Sequence, residues 1–114
     1  MEQIEKELAI AEAALRDANE GKARVCARRA VALAVDTSLE RFPRPDWRGD
    51  AMHHLRQIQQ EESFPLPIRQ AAERLSTKIT QRDAAPFTSN PIADARLIIA
   101  YLISIPPTVG RDSG

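Results

Sequence analysis

A chain of 114 residues with a formal net charge of zero is the size of one domain and can bury a core without covalent staples. Its charge balance argues against a general nucleic-acid binder, whose domains are strongly basic. The single cysteine, Cys26, excludes an internal disulfide framework and fits a reducing compartment.

The N-terminus is charged from Glu2 onward, unlike a signal peptide. The longest apolar run, "LIIAYLISI" (97–105), is about half of the ~20 residues a membrane span needs. The chain therefore reads as soluble and cytoplasmic, with no membrane partner.

Hydrophobic periodicity predicts five helices and no strand. In the first, Ile4, Leu8, Ala11, Leu15 and Ala18 fall on one stripe at helical spacing. "NEG" (19–21) breaks that pattern, with Gly21 expected to supply the tight turn. The second helix, 21–42, carries Val25, Cys26, Leu33, Val35, Leu39 and Phe42 among alanines and has no charge between Arg29 and Asp36. A helix apolar on most sides belongs in the middle of a bundle, and "PRP" (43–45) ends it.

The third helix spans 50–62, with Asp50 as its N-cap and Ala51, Leu55 and Ile58 as its buried stripe. After the "SFPLP" loop, Pro67 suits the first turn of the fourth helix, whose stripe is Ile68, Ala72, Leu75 and Ile79. A second loop, 83–90, offers Phe87 as a core plug. Asn90 then caps the last helix and Pro91 opens it. Pro106 and Pro107 stop it. The prediction is an all-α, antiparallel up-and-down bundle over 1–105, followed by a flexible tail, 106–114.

Charge is unevenly spread. Residues 1–20 hold six acids against two bases, a net of −4. Residues 21–48 hold seven bases against three acids, a net of +4. Two neighbouring antiparallel helices would show this, with Glu12, Asp17 and Glu20 set against Lys22, Arg24 and Arg28. A basic face built from Arg24, Arg28 and Arg29, with His53 or His54 beside it, would instead bind phosphate.

"WRGDAMHHLRQI" (47–58) gathers the only tryptophan and both histidines. Arginine can grip a phosphate and histidine can move its proton near neutrality, so Arg48 with His53 is the one pairing that suggests a metal-independent ribonuclease. Gly49 and the cap at Asp50 separate them, however, which puts Arg48 on a loop and His53 on a helix. Arg-Gly-Asp (48–50) has no secretory context to make it an adhesion motif. Adjacent histidines diverge by about 100° on a helix and share no metal. Cys26 lies among cations in "KARVCARR", but its helix is the one expected to be most buried, so it reads as a small core residue.

Three stretches together resemble the HEPN family of small helical domains: "ANEGKARVCARRAVALAV" (18–35), "HHLRQI" (53–58) and "IADARLIIAYLI" (92–103). The likeness covers about 1–105 and lies in a hairpin broken at glycine, an alanine-rich second helix, and His53, Leu55 and Ile58 opening the third. The family's ribonuclease branch carries an arginine followed by a histidine on a late helix, and this chain has no histidine after His54. The resemblance thus implies a non-nuclease member: a dimeric binding or accessory protein without a cofactor, some of whose relatives pair with a small nucleotidyltransferase. Three classes stay open: a protein-binding module, a nucleotide- or nucleic-acid-associated accessory domain, and a ribonuclease.

The fifth helix points to self-association. Seven of its nine residues from 97 to 105 are large and apolar, too many for one core-facing stripe. The surplus predicts a homodimer.

Overall fold

The computed structural model describes residues 2–41, 49–77, 81, 83, 86–87 and 90–104. Five helices make up the fold: α1 (Glu2–Arg16), α2 (Glu20–Arg41), α3 (Ala51–Gln60), α4 (Leu66–Ser76) and α5 (Pro91–Ser104). Among the described residues there is no strand, and the chain is an all-α helical bundle. The proline stop at 43–45, Phe42, Arg48, Ile79, Ile105 and the tail 106–114 lie outside the described residues.

Helix α2 is the centre of the bundle and packs against each of the other helices. Ala23, Ala27, Ala30 and Ala34 are buried along it, beside Val31 and Val35. Such small side chains let neighbouring backbones come close, which is what allows one helix to touch four others. Its exposed residues, Gly21, Lys22, Val25, Arg29, Asp36, Thr37 and Glu40, lie on one side of the helix. Val25, expected among the buried residues, belongs to this side instead.

The hairpin between α1 and α2 turns differently from the sequence expectation. Gly21 lies inside α2, and the left-handed residue is Ala18, at φ 59°. The amide of Asn19 donates to the Ala14 carbonyl and that of Ala18 to Leu15, the hydrogen-bond pair of a Schellman helix end. The Asn19 side chain then accepts from the Lys22 amide at 3.2 Å. An asparagine that caps α2 starts the helix before Gly21, so the glycine has no turn to make.

The caps expected at the other helix starts are present. The Asp50 carboxylate accepts from the His53 amide at 3.0 Å, and the Asn90 side chain accepts from the Ala93 amide at 3.1 Å. Gly49 has φ +120°, and a Cβ there would meet the His53 ring, so the turn into α3 requires glycine. Pro67 sits in the first turn of α4.

Leu55, Ile58, Ile68, Ala72 and Leu75 from α3 and α4 enter the core as their spacing predicts. From α5, Ile92, Ala95, Ile98, Ile99 and Leu102 join them. Phe64 packs on Tyr101 with ring centroids 5.1 Å apart. Arg74 and Asp94 tie α4 to α5 through two hydrogen bonds of 3.1 and 2.8 Å. That hydrogen bond, ahead of the charge attraction, raises the Arg74 guanidinium above its ordinary pKa.

Candidate functional site

The bases that composition offered to a phosphate are engaged inside the protein. Arg24 is only 2% exposed. Its guanidinium donates to the carbonyl oxygens of Leu75 and Thr77 and lies 4.3 Å from the centroid of the Phe87 ring. One turn further along α2, Arg28 Nε donates to the same Leu75 carbonyl at 2.9 Å. Burial lowers the Arg28 pKa from its ordinary value, though an arginine still keeps its proton.

The two side chains cap the C-terminal end of α4, where helix carbonyls have no partners of their own and carry the negative end of the dipole. Arg29 points away from this cluster and is exposed. The structure thus brings together two of the three arginines named from sequence and separates the third.

The histidines sit elsewhere. His54 is buried where α3 meets α2, with Nε2 3.8 Å from Asp36 Oδ1. His53 is partly exposed, and its ring centroid lies 6.5 Å from that of His54. Asp36 is eight residues beyond Arg28 and twelve beyond Arg24 on the same helix. At 1.5 Å per residue, that places the His54 contact roughly 12–18 Å along α2 from the arginine cluster. Arginines and histidines therefore form two places, not one. Arg48, the arginine of the ribonuclease reading, lies outside the described residues.

Cys26 is buried, and its thiol pKa is raised, first by burial and then by the Glu7 carboxylate; Arg29 and Lys22 act the other way and do not prevail. A thiol held protonated is a poor nucleophile. The expectation of a small core residue describes this position. No group of three or more metal-ligating side chains stands together among the described residues. None of the helices is long and apolar enough to cross a membrane, among those same residues.

One surface feature was not read from the sequence. An open groove of about 450 Å³ runs between the C-terminal end of α1 and the N-terminal end of α5, lined by Glu12, Leu15, Arg16, Ile92, Ala93 and Arg96. Arg96 reaches Glu5 at 3.7 Å and Glu12 at 3.9 Å. With Ile92 and Ala93 beside Leu15 and Arg16 in the groove, and Arg96 further back along α1 at Glu5 and Glu12, α5 runs antiparallel to α1. The Arg96 pairs also give Glu12 a partner on α5, where the charge pattern had suggested one on α2. The sequence carried only half of this signal: Glu5, Glu12 and Arg16 share a face of α1, but nothing in it set that face beside α5.

Along α5 the apolar surplus divides. Ile98, Ile99 and Leu102 are buried and Tyr101 is partly so, whereas Leu97 is 43% and Ile103 38% exposed. With Ala93, Arg96 and Ala100 they form one stripe that no helix covers among the described residues. It is smaller than the sequence suggested, because three of the large residues face inward.

No family model, no curated protein and no solved structure matches this chain.

Proposed function

We propose that this protein is a non-catalytic, self-associating helical module of HEPN-like type that works by binding another protein. The observation that carries the reading is the exposed stripe of α5, where Leu97 and Ile103 stand in solvent beside Ala93 and Ala100. Its one charge, Arg96, is already met by Glu5 and Glu12, so covering the stripe strands no unpaired ion. Isologous contact with a second copy is the commonest way to close such a face. The HEPN resemblance supplies the class of further partner, a small nucleotidyltransferase.

Against the phosphate-binding alternative stands the engagement of Arg24 and Arg28 at the end of α4. An arginine already bonded to two carbonyls would have to give them up to hold a phosphate, at a cost of about 1–3 kcal/mol for each carbonyl left bare. A non-nuclease module is expected to cleave nothing when the purified protein is incubated with single-stranded RNA and a chelator. It is also expected to show no steeply salt-dependent binding at micromolar concentration. The His53→Ala variant, which spares the buried His54, should differ only modestly in stability. Metal-independent cleavage by the wild type that disappears in this variant would establish the ribonuclease in place of the module. Tight RNA binding lost on Arg28→Glu would establish the phosphate-binding domain.

A further inference from the structure

Resting on the self-association reading above, we infer that two copies pair α5 against α5 in antiparallel fashion. Each seats its Ile103 in the groove between α1 and α5 of the other. The groove lies at the N-terminal end of α5, where Leu15, Ile92 and Ala93 give it an apolar part. Ile103 lies at the opposite end of the same stripe. It follows Arg96 by seven residues, two helical turns, and therefore stands on the side of α5 that faces α1.

A two-fold axis perpendicular to α5 exchanges the two ends of the helix and leaves α1 on the same side of the pair. The Ile103 of one copy is thereby carried over the groove of the other. The same operation, centred between Leu97 and Ala100, sets each leucine against an alanine. A parallel pairing in register would oppose leucine to leucine.

Charge favours the same arrangement. The flank of α1 beside α5 has Glu2 and Glu5 at its N-terminal end and Arg16 at its C-terminal end, all exposed, while Glu12 between them is partly buried and already paired with Arg96. Antiparallel pairing brings Arg16 of one copy to Glu2 and Glu5 of its partner, twice by symmetry. Complementary rims of this kind fix register. A parallel pair would leave the two α1 helices on opposite sides, where they cannot meet. The two α5 dipoles also oppose each other in the antiparallel pair, so each positive helix end lies by a negative one.

The arrangement is tested by paired cysteines. In an Ala93→Cys/Ile103→Cys variant, residue 93 of one copy lies beside residue 103 of its partner, and mild oxidation is expected to give a disulfide-linked dimer. Each single variant is expected to stay unlinked. Its two thiols would lie roughly 13 Å or more apart along the helices, beyond the ~7 Å between Cα atoms that a disulfide spans. Both positions are exposed, so neither change disturbs the core, and the native thiol of Cys26 is buried. A wild-type dimer in which the double variant fails to link, or in which a single variant links, overturns this pairing alone. A wild-type monomer overturns the self-association reading, and the pairing with it.

Discussion

Replacing Arg24 by methionine is expected to lower the stability of the fold by about 2–4 kcal/mol. The methionine keeps an unbranched stem in the same space, so the loss isolates what the guanidinium does. It strips the Leu75 and Thr77 carbonyls of the donors that Arg24 gives them, at about 1–3 kcal/mol for each buried acceptor left unsatisfied. It also removes the cation beside Phe87, which adds about 0.5–2 kcal/mol. Part of this is returned, because a buried charge no longer has to be kept out of water. Arg28 shares the Leu75 carbonyl and softens the loss, so the two substitutions are expected to be non-additive. Urea titration followed by circular dichroism reads the difference. A change below about 0.5 kcal/mol, the range of ordinary surface substitutions, would mean that Arg24 does not hold the end of α4.

The second large effect is expected at Ile98, which is fully buried where α5 enters the core. Ile98→Ala removes three carbons and leaves a cavity among packed side chains, a loss of about 2–5 kcal/mol. Against a total of about 5–15 kcal/mol for a domain, that is a large fraction of the stability. Leu97, its neighbour on the chain, lies on the opposite account. Leu97→Ala is expected to leave the isolated fold within about 0.5 kcal/mol of wild type and to weaken self-association. The pair of variants, compared by thermal melting and by mass in solution, separates the two faces of α5. Equal destabilisation by both would show that Leu97 is a core residue and that the stripe is not free.

Most of the helix pattern was legible in the sequence because apolar spacing, Asp50, Asn90 and the prolines all pointed the same way. The centrality of α2 was legible for the same reason, from its alanines and its long uncharged run. The first turn was not. Glycine is the usual left-handed residue, yet Ala18 takes that conformation here, because Asn19 caps α2 and draws Gly21 into the helix. Composition also treated the arginines of α2 as one surface cluster. Their spacing held a better signal: Arg24 and Arg28 continue the stripe of Val31 and Val35 at four, seven and eleven residues, and all but the half-buried Arg28 are fully enclosed. Polarity alone conceals such residues, since their burial depends on helix-end carbonyls that arrive from α4, some fifty residues away. The groove beside Arg96 depends likewise on which way α1 lies against α5, and no local pattern in either helix encodes that.

The reading of the protein as a self-associating module is tested most directly by its mass in solution. Light scattering across a dilution series at micromolar concentration and moderate salt is expected to give about twice the 12.7 kDa of one chain, as for the two-fold assemblies commonest among soluble proteins. The value should fall towards that of a single chain in the Leu97→Ala variant. A wild-type mass of 12.7 kDa throughout the series would contradict the account.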